Sequence, residues 1–298
     1  MLAMIPFPDL SPEIFSISVF GMEFALRWYA LAYITGLVAG WRIIVDTTRR
    51  AHLWPDDTPA LDEKQVDDLL FWVILGVILG GRIGFVLFYQ PLYYLQNPAE
   101  ILMVWQGGMS FHGGLLGVVA VNFLFAARHG IRPLSIADVM CMVAPIGIFL
   151  GRLANFVNAE LWGRPTDLPW GVAFPGAAAQ NCADVLTLCA RHPSQLYEAL
   201  LEGLLLGVIL LWLVYRRSAL KTPGVVAGVF FIGYGLGRFI VEFARQADAQ
   251  FISADNPMGY VLQIGGAGLS MGQLLSLPMV IVGAGLIVLA RRNKSAAP

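Results

Sequence analysis

Arginine, glutamate, asparagine and histidine gather at short intervals in an otherwise apolar chain. Arg152, Asn155, Asn158 and Glu160 form one group, followed by His192, Gln195, Tyr197, Glu198 and Glu202. Arg238 and Glu242 stand four residues apart, Glu23, Arg27, Trp28 and Tyr29 lie near the N-terminus, and His112 is followed by two glycines. A guanidinium presents a planar fork of donors that matches phosphate oxygens. Imidazole exchanges a proton near neutral pH. Holding a phosphate beside a proton acceptor is therefore the chemistry these side chains could support. The structural alternative is ion pairing alone, as for Arg238 and Glu242 at i and i+4. The four histidines lack metal-binding spacing, and Cys182 and Cys189, with six residues between them, match no common zinc pattern. Neither metal nor cofactor is expected.

The elements that must position these groups are membrane helices. The chain has 298 residues, 57% hydrophobic and 13% charged, with mean hydropathy +0.69, against roughly 25% charged in a soluble domain. A net charge of -1 leaves no basic excess for nucleic acid. Segments of about 20 apolar residues can span a bilayer. They occur at approximately 20–44, 69–89, 112–128, 134–151, 195–215, 224–244 and 270–290. The expected fold is all-α, a polytopic integral membrane protein of seven transmembrane helices. It forms a single domain over 1–298 with a periplasmic loop at about 152–194. The first seventeen residues carry Pro6, Pro8 and Pro12 but no Lys or Arg, so they lack the charged start of a cleavable signal peptide.

Basic residues set the orientation. Arg42, Arg49, Arg50, Lys64, Arg128, Arg132, Arg216, Arg217, Lys221, Arg291, Arg292 and Lys294 fall on one side, and Arg152, Arg164, Arg191, Arg238 and Arg245 on the other. The first group marks the cytoplasm, which puts the N-terminus in the periplasm and the C-terminus in the cytoplasm. Small residues every fourth position, such as Gly76, Gly80 and Gly84 or Gly113 and Gly117, read as helix packing faces.

In this topology the polar groups of several spans share one level, the outer leaflet. Ionisable groups at membrane depth mark function by default. Arginines at headgroup depth beside His112 describe a phospholipid headgroup site and suggest transfer from a phospholipid to a nucleophile. Arg82, in a glycine-rich stretch, reads as the buried partner of an acidic residue, Asp138 as structural, and His192 as equally structural or functional. Cys182 and Cys189 share a polar loop and could pair if it faces an oxidising compartment. The surrounding stretch from Phe174 to Ala190 could contact an approaching peptide.

The run Gly151-Arg152-Leu153-Ala154-Asn155-Phe156-Val157-Asn158-Ala159-Glu160-Leu161-Trp162-Gly163 closely resembles the signature of the bacterial prolipoprotein diacylglyceryl transferases. Gly107 to Gly114, Arg191 to Glu198, Arg27-Trp28-Tyr29, Gly233-Tyr234-Gly235 leading to Arg238 and Glu242, and Ser270 to Gln273 extend the likeness over nearly the whole chain. The resemblance implies an enzyme of the bacterial inner membrane, its site facing the periplasmic leaflet. Such an enzyme moves the diacylglyceryl group of phosphatidylglycerol onto the lipobox cysteine of a prolipoprotein signal peptide, forming a thioether and releasing glycerol 1-phosphate. Position by position it implies Tyr29, His112, Arg152 and Arg238 as catalytic, with Arg152, Asn155, Glu160, Gly163 and Glu242 binding substrate. His112 would be the general base for a thiol that attacks as thiolate, and Arg152 and Arg238 would hold the leaving phosphate. Glu160 and Glu242 would orient arginines, and Gly163 would allow a close backbone approach. A lipid transporter or a non-catalytic phospholipid-binding scaffold is the alternative.

Overall fold

A computed structural model of the chain describes residues 4–19, 22–182, 188–253, 255–264 and 267–295. Its long helices are α1 (Trp28–Thr48), α2 (Glu63–Phe88), α3 (Phe111–His129), α4 (Pro133–Val157), α5 (Ser194–Arg217), α6 (Val225–Val241) and α7 (Met271–Ser295). Six are long and apolar enough to cross a membrane; α6 is equally apolar but has 17 residues, about 25 Å at the helical rise. The chain divides into two compact units, one comprising 1–40, 141–217 and 225–298, the other 41–140 and 218–224.

The helical expectation holds for most of the chain, and among the described residues three two-stranded sheets add to it: parallel β1 (Ile5–Pro6) with β4 (Val172–Ala173), antiparallel β2 (Glu13–Val19) with β3 (Met22–Arg27), and antiparallel β5 (Leu262–Ile264) with β6 (Ala267–Leu269). The β2–β3 hairpin corrects the expected start of the first span. Residues 20 and 21, where that span was to begin, lie outside the described residues, and helix begins only at Trp28. Serine alternates with Ile17 and Val19 through β2, a two-residue period of β-branched side chains that favours strand over helix. Glu23 and Arg27 therefore belong to a strand, and exposed Arg27 lies 3.5 Å from Glu13 on the paired strand.

In the 41–140 unit, glycines on α2 meet glycines on α3. A Cβ at Gly84 would stand 2.7 Å from the Gly113 Cα, and one at Gly80 would stand 2.9 Å from the Gly117 Cα. Bare backbones thus touch where any side chain would force the helices apart. Asp62 and Gln65 close a capping box at the start of α2, and the Ser110 hydroxyl accepts from the Gly113 amide (3.2 Å) to cap α3. Asp138 is fully buried and accepts from the Gly224 amide at 2.8 Å, the structural role expected of it.

Arg82 departs from expectation. It is buried, but its partners are main-chain carbonyls rather than an acid: Nε donates to Ile101 (2.9 Å), Nη2 to Glu100 (2.6 Å) and Nη1 to Gly107 (2.5 Å) and Gly108 (3.2 Å). The segment between α2 and α3 coils in short 3-10 turns that leave carbonyls without helical partners. The five donors of a guanidinium can satisfy several of them at once. The Tyr94 ring lies 5.1 Å from the guanidinium and closes its other face.

In the other unit, α1 approaches α4 where Gly36 faces Gly147, and α6 approaches α7 where Gly228 faces Gly283. On α5, Gly203 lies against the Phe149 backbone of α4. Around it, Ala199–Leu205 widen into a π-type stretch, an irregularity often found at functional sites.

Candidate active site

Glu198 on α5 is fully buried and is the hub of the site. Its Oε1 accepts from Arg238 Nη1 (2.5 Å) and Arg245 Nη1 (2.9 Å), and its Oε2 lies 3.0 Å from Arg152 Nε. Arg238 turns its other nitrogen, Nη2, to Glu242 Oε2 at 3.0 Å. One carboxylate thus gathers three guanidiniums, from the C-terminal ends of α4 and α6 and from the turn after α6. These side chains are only 16 to 20% exposed, so the attraction is little screened. At Gly272 the missing side chain leaves the room that the Glu242 carboxylate occupies, so a Cβ there would displace it.

A second, hydrogen-bonded layer extends from Arg152. Its Nη1 reaches Asn155 Oδ1 (3.4 Å), one helical turn later on α4. Asn155 Nδ2 donates to Glu160 Oε1 (2.8 Å) and to the Tyr29 hydroxyl (3.1 Å) at the start of α1. Asn158 Nδ2 also reaches Glu160 Oε1 at 3.4 Å. Glu160 therefore orients asparagines, not arginines as expected, because its backbone follows the helix in a turn where Asn155 and Asn158 are the nearest donors. Buried Gln195 fixes that turn through the Glu160 carbonyl at 2.5 Å.

The loop after α4 is tied beneath these groups. Gly163 donates to the His192 carbonyl (2.8 Å) and Arg164 to the Ala244 carbonyl (2.9 Å), and Gly163 pairs with Arg245. A Cβ at Gly163 would stand 2.7 Å from the His192 Cβ, so the close approach expected there is present. Arg191 is buried with its guanidinium carbon over the Trp162 ring at 4.0 Å and donates to the carbonyls of Ala179, Gly163 and Asn181. Cys182 and Cys189 are joined as a disulfide, and Gln180 bridges the Phe174 carbonyl and the Cys189 amide. Residues 183–187 of this stretch lie outside the described residues. Burial holds the His192 imidazole below its ordinary pKa, and Nδ1 lies 3.2 Å from the Tyr197 hydroxyl.

Two cavities lie in this unit. One of about 690 Å³ is lined by Glu160, Trp162, Asn181, Cys182, Arg191 and Arg245, so the loop layer opens onto the arginines. The other, about 320 Å³, is almost wholly apolar and runs between α1 and α4 past Trp28, Leu31, Leu150, Leu153 and Val157.

Of the expected site residues, Tyr29, Arg152, Asn155, Glu160, Gly163, Arg238 and Glu242 all belong to this unit and to these linked networks. His112 is carried by the other unit, exposed in the first turn of α3 with its ring edge-on to Phe111 at 5.6 Å. Sequence reasoning grouped Glu198 with the polar residues of one level but gave neither it nor Arg245 a role in the site. Glu198 and Glu202, four apart in an apolar helix, were the available signal for an inward acidic face. Arg245, three residues after Glu242, reads as an ordinary flanking charge until the turn after α6 folds it back.

Partly buried arginines in excess of the carboxylates they pair with, beside amide and phenol groups and an apolar groove, are donors of the kind an anion takes, here in a multi-pass helical membrane protein. The chain belongs to the prolipoprotein diacylglyceryl transferase family, whose model matches residues 15–289. It is 66% identical over 291 residues to the phosphatidylglycerol–prolipoprotein diacylglyceryl transferase of Roseobacter denitrificans, covering 98% of this chain and 99% of the relative. The protein of that name from Ruegeria pomeroyi is 66% identical over the same lengths. That from Rhizobium meliloti is 47% identical over 296 residues, covering 99% and 98%.

Proposed function

We propose that the chain carries out the reaction for which these relatives are named, taking the diacylglyceryl group of phosphatidylglycerol to a prolipoprotein. The acceptor is the lipobox cysteine thiol, and the products are a thioether and glycerol 1-phosphate. In this reading 1–298 acts as one catalytic domain of seven membrane spans, with α6 as the sixth. The N-terminus and the 152–194 loop face the periplasm, the C-terminus faces the cytoplasm, and the membrane is the bacterial inner membrane.

The observation that carries the assignment is the gathering of Arg152, Arg238 and Arg245 on Glu198 beside the Asn155–Tyr29 pair. The sulfur attacks the glyceryl carbon, the carbon–oxygen bond breaks, and its electron pair remains on the phosphate. Arg152 and Arg238 stabilise that developing charge, because fixed donors in a low-dielectric site need no reorganisation. Asn155, Tyr29 and Glu160 orient the headgroup by hydrogen bonds. Glu242 fixes the Arg238 fork, and Gly163 holds the Arg245 segment. The thiol must lose its proton, and His112 is the acceptor. The apolar groove between α1 and α4 accommodates acyl chain.

The test is mass spectrometry of a lipobox peptide incubated with the purified protein and phosphatidylglycerol, alongside Arg152→Ala and His112→Gln. A diacylglyceryl mass on cysteine that disappears with Arg152→Ala and falls with His112→Gln is the expected result. Lipid binding without any mass shift would instead make the protein a phospholipid-holding scaffold.

A further inference from the structure

Glu202 lies one turn beyond Glu198 on α5, within the π-type stretch. It is fully buried, and neither carboxylate oxygen has a hydrogen-bond partner among the described residues. This contrasts with Glu198 and Glu242, whose carboxylates are both ion-paired. The groups facing Glu202 are Glu198 on its own helix, Arg152 from α4, Tyr234 and Arg238 from α6, and Arg245 beyond α6. Glu242 reaches the same field through Arg238. The α6 wall beside it is Gly237, where a Cβ would stand 3.3 Å from Glu202 Cγ, so the carboxyl fits closely against bare backbone.

An ionised carboxylate without hydrogen bonds is the costliest group to bury, and such groups neutralise instead. The charge count of the site then turns on one proton. Counting the directly ion-paired groups, Arg152, Arg238 and Arg245 supply three positive charges and Glu198 and Glu242 two negative ones; Glu160 is solvent-exposed and meets Asn155 and Asn158 instead of an arginine, so solvent screens its charge. With Glu202 neutral the cluster is net +1, complementary to the single negative charge of a phosphodiester. With Glu202 ionised it is neutral and has no charge left to offer.

We infer that Glu202 is a positioning residue which, by carrying a proton, keeps the arginine cluster one charge in excess and so sets its affinity for the donor lipid's phosphodiester. It acts through the arginines and does not touch the reacting atoms. Binding of the anionic headgroup and retention of the Glu202 proton are then linked, each strengthening the other. This rests on the proposal that the arginine cluster holds the lipid phosphate.

The experiment measures the apparent KM and kcat for phosphatidylglycerol in detergent-purified protein from about pH 6 to about pH 9. It compares the wild type with Glu202→Gln, which keeps shape and neutrality but cannot ionise, and with Glu202→Asp, which can. KM of the wild type should rise about tenfold across the alkaline limb, as for one charge lost from the site, while kcat changes little. The limb should be absent in Glu202→Gln and shifted in Glu202→Asp. A Glu202→Gln limb superimposable on the wild type overturns the inference. Should Glu202→Gln fail to fold, infrared spectroscopy of the wild type decides. A protonated-carboxyl stretch that persists to higher pH when phosphatidylglycerol is added, and that shifts in Glu202→Asp, supports the inference; a stretch that ignores the lipid refutes it. Arg238→Ala separates the two levels: if KM is unchanged in that variant, the phosphate-site reading itself has failed. If KM rises there but the limb survives Glu202→Gln, only the role of Glu202 has failed.

Discussion

Replacing Glu198 by glutamine tests whether one carboxylate really organises three guanidiniums. The substitution keeps the shape of the side chain and exchanges one acceptor oxygen for an amide donor. If the remaining oxygen faces Arg238 and Arg245, the new NH₂ points at Arg152 Nε, which lies 3.0 Å from Oε2 in the wild type. If the amide flips, the donor confronts both Arg238 and Arg245, at 2.5 and 2.9 Å. The first arrangement loses less, so it sets the magnitude. One charge-assisted contact is worth about 1.5–3 kcal/mol, and three arginines left with only Glu242 as a paired acid repel one another further. A total of about 3 kcal/mol corresponds to a loss of kcat/KM on the order of a hundredfold. The assay is initial-rate transfer to a lipobox peptide in vesicles, with protein matched by membrane abundance. The loss should fall on kcat, since the cluster gains net positive charge and the anionic lipid still binds while the Arg152 fork is misaimed. A Glu198→Gln protein with kcat within about twofold of wild type would refute the hub. Combining it with Arg245→Gln in a double-mutant cycle should return a coupling energy above about 0.5 kcal/mol, as directly paired groups do.

Arg152→Lys should fail where Arg152→Ala fails, because an ammonium cannot reach Glu198 and Asn155 Oδ1 together; the readout is lipid transfer in reconstituted vesicles. Gly80→Val should abolish accumulation of folded protein, since a side chain there meets the α3 backbone at Gly113 and Gly117; the check is fluorescence-detected size exclusion. Reducing Cys182–Cys189, or replacing both by serine, should cost the loop about 2.5 kcal/mol on the chain-entropy estimate for so short a closure, and limited proteolysis should then cut within 176–190. Burial depresses the His192 imidazole, so the unfolded chain binds that proton more readily than the folded one. Its contribution to stability is therefore level above about pH 6.5 and falls as the medium is acidified; thermal midpoints of wild type and His192→Asn should converge at acid pH.

The sequence made the helices legible because their apolar runs exceed the length that any core helix needs, and six of the seven expected segments recur as helices long enough to span. The hairpin before Trp28 escaped notice because its residues are nearly as apolar as a span, and hydropathy averages away the alternation that distinguishes strand from helix. In the site, arginines and asparagines were found by their motif. Glu198 was harder to identify, since its importance comes from three arginines brought together by tertiary folding, one of them 47 positions away. Arg82 shows the same limit in reverse. A buried cation suggested a buried anion, yet main-chain oxygens from a loop with no acidic pattern satisfied it.

Arg82 also makes α2 and the segment after it a mechanical linkage. Its guanidinium grips the carbonyls of residues 100, 101, 107 and 108, and Ser110, capping α3, donates its amide to the Gly81 carbonyl next to Arg82. From that cap His112 is two residues away. The axial position of the imidazole is thereby indexed to one turn of α2, like a tooth on a rack. Any sliding of α2 along its axis would be passed through these bonds to the start of α3, and so to His112.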